Sequence, residues 1–198
     1  EEPLIPQAKL NEDARKVIVN IFCLTKTASI LEPITGSGVV ISDKGVILTN
    51  AHVAQYFLLK DYKIPGFLDC VVRGGSPAKP LYKVEILYLP PAWIDKNAQN
   101  IRLDSPKGTG EDDYALLYIT EPTQPGAELP ESILATSFDV GTKYINTNEP
   151  VLIASYPAGF LSGLDVTKNF WMTSSVARMM QIFTFRETPP YTEDAFSL

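Results

Sequence analysis

The apolar positions of this chain cluster in short segments rich in Val, Ile, Tyr or Phe and bounded by Gly, Pro, Asn or Asp, the signature of β-strands. Six such segments fall in the first 120 residues: Val17 to Cys23 (VIVNIFC), Ser37 to Ser42 (SGVVIS), Val46 to Thr49 (VILT), Leu68 to Arg73 (LDCVVR), Lys83 to Leu89 (KVEILYL) and Tyr114 to Ile119 (YALLYI). Between the second and third, Asp43-Lys44-Gly45 is three-residue hairpin chemistry that needs a glycine in the left-handed region. Six closely spaced strands with turn signals predict a small antiparallel barrel or sandwich. The pattern then changes. Glu121 to Pro150 holds four prolines and few apolar runs, which reads as a linker wrapped across a surface. Strand signals resume at Val151 to Ser155 (VLIAS), Phe170 to Ala177 (FWMTSSVA) and Gln181 to Arg186 (QIFTFR). Three or four strands cannot close a second barrel, and an open sheet edge is a pairing liability. Helical signals are few. Ala51 to Lys60 and Pro91 to Ile101 are the two candidates, both insertions on a β scaffold.

Composition narrows the function classes. With 198 residues, 45% apolar and 20% charged, the chain has room for one core or two small ones and is too balanced for a disordered or collagen-like protein. No apolar run approaches the roughly 18 residues of a membrane span. The net charge of −6 comes without a Lys/Arg cluster, so there is no electrostatic handle for nucleic acid. One histidine and two cysteines fall short of the four ligands of a structural zinc, and no cofactor motif is present. The cysteines, Cys23 and Cys70, are compatible with one disulfide in an oxidising compartment and equally with two buried thiols. The chain opens Glu1-Glu2-Pro3 without an initiator methionine. This reads as a processed form or a piece of something longer, with any signal or anchor segment upstream.

His52 is the sole histidine, so general-base chemistry at neutral pH falls on it. A lone histidine is more often structural than catalytic, but its setting raises the odds. A glycine-flanked strand, a hairpin and a second strand lead to Thr49-Asn50-Ala51-His52, where the strand ends and a short helix begins. Such a base needs an acceptor behind it that fixes the ring tautomer and stabilises the imidazolium. In Glu111-Asp112-Asp113-Tyr114-Ala115-Leu116-Leu117, Asp113 stands directly before the apolar run, whereas Glu111 and Asp112 read as a solvated loop. Gly36-Ser37-Gly38 invites a phosphate-loop reading, but it lacks the lysine and the following helix, and strand packing accounts for it better.

Gly36-Ser37-Gly38-Val39-Val40-Ile41-Ser42, followed by Gly45-Val46-Ile47-Leu48-Thr49-Asn50-Ala51-His52-Val53, resembles the histidine block of trypsin-like serine peptidases of the bacterial HtrA-like type. Asp113-Tyr114-Ala115-Leu116-Leu117 resembles their aspartate block. Tyr156-Pro157-Ala158-Gly159 and Thr173-Ser174-Ser175-Val176 are similar to the segments that open the second barrel in that family. The resemblance runs from about residue 14 to the end, strongly in the first unit and loosely in the second. It implies an all-β fold of two antiparallel barrels with the site in the cleft between them, the second barrel incomplete in this chain. The implied divisions are 14–121 for the first barrel, 122–149 for the linker and 150–198 for the first part of the second. His52 becomes the general base and Asp113 its orienting partner. Their spacing is longer than usual for the family, and the extra residues fall within 88–110. Cys23 and Cys70 then lie on strands of one barrel, where a bridge would be worth up to about 4 kcal/mol.

The third member of such a site is a serine in a Gly-x-Ser-Gly-Gly setting, whose glycines let two backbone N–H groups converge on the developing oxyanion. The sequence contains no such motif. Ser37 belongs to the histidine block, Ser162 precedes Gly163 on a loop, and Ser174 and Ser175 lie on a strand. By the family's order, Phe196-Ser197-Leu198 falls shortly before the nucleophile. The leading expectation is an extracytoplasmic serine endopeptidase acting on protein or peptide substrates, its serine beyond residue 198 and the 198 residues by themselves inactive. A non-catalytic homologue that binds peptides by strand addition is the alternative. An unrelated β-rich extracellular domain is the third, favoured if His52 and Asp113 lie apart.

Overall fold

The structure is a computed structural model describing residues 7–26, 33–62, 64–102, 110–137, 147–159, 161, 163–183 and 195–197. Six strands, β1 (Ile18–Thr25), β2 (Ile34–Ser42), β3 (Val46–Thr49), β4 (Leu68–Gly74), β5 (Lys79–Tyr88) and β6 (Ala115–Pro122), close an antiparallel barrel in the order β1-β2-β3-β6-β5-β4, with β4 returning to β1. Alternation along each strand dictates which residues enter it. On β6, Ala115, Leu117 and Ile119 are buried while Tyr118 and Thr120 face outward. Val19, Ile21, Val40, Ile47, Val72 and Val84 complete the interior with them. The β2–β3 hairpin turns at Gly45, whose φ of 83° is the left-handed value the sequence anticipates. Cys23 and Cys70 are register partners on β1 and β4, and a disulfide joins them.

The two expected helical insertions each form one short α-helix that tightens into a 3-10 turn. They are α2 (Ala51–Ala54), continued by Gln55–Leu59, and α3 (Pro91–Asn97), continued by Ala98–Arg102. Pro91 stands at the start of α3, where its missing N–H costs nothing, and Trp93 is buried there at 1% exposure. One helix escapes the hydrophobic pattern, α1 (Gln7–Val17), and residue 14, expected to open the barrel, lies inside it. Its side chains are mostly polar, and Leu10 is exposed. Lys9–Asp13 and Lys16–Glu12 ion pairs, each 2.7 Å, stitch successive turns, but as solvent-exposed pairs they add little to stability. Tertiary contact holds α1, including a 2.6 Å hydrogen bond from the Ser174 hydroxyl to Asn11. No helix among the described residues is long and apolar enough to cross a membrane.

Beyond the barrel the chain runs without strands along 123–137, as the prolines suggest. It is tied down by Ile133, which packs on the barrel core and whose N–H donates to Asp43, and by Thr136, whose N–H donates to Val40, each at 2.9 Å. Two separate two-stranded sheets follow. β7 (Pro150–Ser155) pairs with β8 (Thr173–Arg178) across α4 (Gly163–Lys168), and β9 (Gln181–Phe183) pairs with β10 (Ala195–Ser197). Residues 184–186 of the expected last strand lie outside the described residues.

The two units meet along β1, and this explains why β1 is buried on both faces. Its inward residues fill the barrel, while Phe22 on the other face packs with Tyr156, Val166, Phe170 and Met172. Within this seam lies Arg73, 2% exposed. Its guanidinium sits over the Phe22 ring at 3.8 Å, its Nε donates to Asn20 Oδ1 at 2.7 Å, and its Nη1 donates to the Thr167 carbonyl at 3.3 Å. Burial pushes the Arg73 pKa down to about 10, with Tyr156 acting the other way, so the side chain stays charged at neutral pH. The Tyr156 N–H donates to Ser37 Oγ at 2.9 Å, its hydroxyl to the Gly75 carbonyl at 2.7 Å, and the Ala78 N–H to the Phe170 carbonyl at 2.7 Å.

Because the Cys23–Cys70 bridge spans 47 positions, its reduction is expected to lower the unfolding free energy by about 2–4 kcal/mol. Urea midpoints measured with and without reductant check this, and coincident midpoints would contradict it.

Candidate active site

Strand register builds the site. β3 and β6 pair antiparallel with Thr49 opposite Ala115, so the residues just past the end of β3 lie beside those just before β6. Asn50 is extended (φ −81°, ψ 146°), α2 begins at Ala51, and His52 is its second residue. Asp113 stands two positions before Ala115 and therefore arrives next to that turn. On its N-terminal side the chain passes through left-handed conformations at Gly110 (φ 94°) and Asp112 (φ 58°), the latter a residue type that tolerates the region. The other two acids of the run face outward, where Lys96 pairs with Glu111 at 3.0 Å and Asp112 at 3.7 Å.

The Asp113 carboxylate makes two short bonds to one residue. Its Oδ2 lies 2.7 Å from His52 Nδ1, and its Oδ1 accepts the His52 backbone N–H at 2.9 Å. A carboxylate only accepts, so this pairing makes Nδ1 the protonated nitrogen of the neutral ring and leaves Nε2 as its free lone pair. The Asp113 side chain is 12% exposed and the imidazole 36%, a pairing of sheltered acid and accessible base. Burial by itself raises the Asp113 carboxyl pKa. Hydrogen bonds from the His52 ring and the His52 and Ala51 backbone N–H groups, with the attraction of the imidazole, outweigh it and hold the group below the ordinary aspartate value.

Supporting residues surround the pair. Thr49 Oγ1 donates to the Ser37 carbonyl at 2.8 Å, tying the end of β3 to β2. Gln55, buried at 2% exposure, donates from Nε2 to the His52 carbonyl at 2.9 Å. Asn50 Nδ2 donates to the Asp113 carbonyl at 3.2 Å. The glycines of Gly36-Ser37-Gly38 are required by close approach: a Cβ on Gly36 would lie 2.6 Å from a Val53 methyl, and one on Gly38 2.8 Å from Ile47 Cγ2. Strand and helix packing is therefore their function, and Val53 is the neighbour of His52. The sequence alone assigns no role to Asn50 or Gln55. For Asn50 the signal was present, a capping-type residue between strand end and helix start; for Gln55, inside an apolar stretch, there was none.

The serines fall elsewhere. Ser37 Oγ is engaged by the Tyr156 N–H, Ser174 bonds Asn11, and Ser175 lines an open hollow of about 410 Å³ with Ala8, Asn11, Leu152, Ser174 and Val176. Ser162 lies outside the described residues. Among the described residues the His52 ring hydrogen-bonds Asp113 alone, and no group of three or more His, Cys, Asp or Glu stands together in the manner of a metal site.

No protein-family model matches this sequence, and no curated protein does. Solved structures do. The chain is similar to Deg5 at 19% identity and a TM-score of 0.51, covering 98% of this chain and 74% of that one. It is also similar to the active form of the Rv3671c protease from M. tuberculosis, at 20% identity and a TM-score of 0.47 over 92% of this chain. It spans 60% of the length of the Rv3671c chain. The likeness is one of fold: a closed six-stranded antiparallel barrel followed by a partial second unit of paired strands, the trypsin-like architecture that the histidine and aspartate blocks imply.

Two expectations follow. Gly36→Ala should push Val53 and with it α2, costing about 1–3 kcal/mol of stability; an unchanged denaturation midpoint would refute the packing argument. Asp113 has a depressed native pKa, so its contribution to stability is full above the ordinary aspartate range and is lost as pH falls through the native value. The stability difference between the wild type and Asp113→Asn should therefore shrink on acidification below about pH 4, as measured by urea unfolding at stepped pH. A difference independent of pH would contradict the ionised pairing.

Proposed function

We propose that this chain carries the base and orienting acid of a serine endopeptidase. His52 is the general base and Asp113 its partner, and the nucleophilic serine lies in a segment following residue 198. The observation that carries the reading is the double engagement of Asp113 with the His52 ring and backbone, at 2.7 and 2.9 Å. That geometry is what an imidazole needs in order to take a proton at Nε2. As a serine oxygen attacks a peptide carbonyl, its proton passes to Nε2. The imidazolium that forms is stabilised by the Asp113 carboxylate, which itself stays ionised, and the proton is then delivered to the leaving amine. The depressed pKa of Asp113 supports this role, since an acid meant to stay charged beside a forming cation must not take up the proton itself.

On this reading the substrate is a protein or peptide, nucleic acid is not a partner, and no cofactor takes part. The first unit, 14–121, comprises the end of α1 and the barrel, with the linker at 122–149 and the opening of the second barrel at 150–198. The Cys23–Cys70 disulfide supports an extracytoplasmic setting, because such bridges persist in oxidising compartments. The 198 residues by themselves are inert, since they lack the Gly-x-Ser-Gly-Gly turn that supplies nucleophile and oxyanion donors.

A fluorophosphonate probe tests the reading on two proteins, the 198-residue chain and one extended along its reading frame. The extended protein should label and the short one should not. His52→Ala in the extended protein should slow labelling by about a thousandfold or more. An extended protein that folds, lacks the serine and binds peptide without cleaving it would replace this proposal with the non-catalytic alternative.

A further inference from the structure

Asn50 occupies the position that starts α2. Its carbonyl accepts the Val53 and Ala54 N–H groups at 3.2 and 3.0 Å. Asparagine is favoured at such positions because its side-chain oxygen can accept an N–H of the first helical turn. Here the side chain makes no such bond. Its amide is turned the other way, donating to the Asp113 carbonyl at 3.2 Å and reaching Asp113 Oδ2 at 3.5 Å. Oδ2 is the oxygen that pairs with His52 Nδ1.

The direction matters because of where Asp113 lies. The last register pair of β3 and β6 is Thr49 with Ala115, so the Asp113 backbone falls outside the ladder. Nothing in the regular sheet fixes the segment from which its carboxylate projects. The Asn50 amide supplies the missing cross-strand bond from a side chain, one residue beyond the end of β3. Asn50 is itself exposed, so this orientation is not imposed by packing. We propose that Asn50 is a positioning residue of the His52–Asp113 pair, its carboxamide clamping the start of β6 so that one carboxylate oxygen meets the ring and the other the His52 N–H. The consequence for catalysis rests on the peptidase reading above, but the clamp is a property of the pair and is measurable without turnover.

His52 is the only histidine of the chain, so the imidazole 15N spectrum of the 198-residue protein contains a single ring whose tautomer can be read directly. Asn50→Ser and Asn50→Asp keep a good helix-starting residue but remove the amide donor. Asn50→Ala removes both. The clamp predicts that all three variants increase the Nε2–H tautomer by about three- to tenfold, the effect of one lost hydrogen bond. If the serine and aspartate variants keep the wild-type ring signature and only alanine loses it, Asn50 is a helix cap and the proposal falls. It falls equally if all three keep that signature. Failure here is separate from failure of the peptidase reading. An extended protein that ignores the fluorophosphonate probe would leave a tautomer shift in these variants intact, and one that labels would not rescue a clamp with no effect on the ring.

Discussion

Much of this molecule is organised around one carboxylate. Asp113 joins two segments distant in sequence, the start of β6 and the first turn of α2, and does so through both oxygens. The alternatives for a half-buried aspartate are a raised pKa or an uncompensated charge. The donors offered by His52 and Ala51 remove both costs, and they are available because the strand register brings the end of β3 alongside the beginning of β6. The barrel thus acts as a positioning device. Its closed hydrogen-bond network fixes the register, the register fixes the meeting of two loops, and the loops present the Asp113 carboxylate and the His52 imidazole in one orientation.

The glycines of β2 belong to the same logic. α2 can lie flat on the barrel only where no side chain intervenes, and Gly36 provides that absence beneath Val53. An alanine there would leave the chemistry of His52 and Asp113 untouched in sequence while moving the helix that carries one of them. The residues that matter to the site are therefore of two kinds: those that bear polar groups, and those whose smallness lets the former approach.

How much of this was legible in the sequence depends on whether the interaction is local. The six barrel strands are marked by alternating apolar residues and by turn chemistry such as Asp43-Lys44-Gly45, and their observed positions agree to within a few residues. The Thr49 to His52 stretch is readable as a strand end meeting a helix. What was not legible has physical reasons. α1 is polar around most of its circumference and held by contact with residues more than 130 positions away, such as Ser174, so no hydrophobic period announces it. The pairing of Cys23 with Cys70 follows from the neighbouring of β1 and β4, a fact of barrel closure that spacing along the chain does not contain. The swing of the Asn50 side chain away from its own helix depends on the Asp113 carbonyl, which reaches it only in the folded state.

The seam between the two units shows the same dependence on tertiary structure, and it bears on the placing of His52. β1 reads as a continuous apolar strand with an asparagine in it, and the chain alone offers no reason for Asn20. In the folded protein Asn20 Oδ1 receives Arg73, while its Nδ2 donates to Thr35 Oγ1 at 2.7 Å and to the Gly36 carbonyl at 2.8 Å. Apolar contact among Phe22, Phe170 and Met172 would hold the units together but sets no angle between them, since the hydrophobic effect is non-directional. The bonds from Arg73 to Thr167, from Tyr156 to Ser37 and Gly75, and from Ala78 to Phe170 are directional, and several originate next to the strands that carry the site. Ser37 in particular receives Tyr156 through its hydroxyl and Thr49 through its carbonyl. One residue of the histidine block thereby links the second unit to the strand end that presents His52, and the placing of the His52 turn is coupled to the docking of the neighbouring strands.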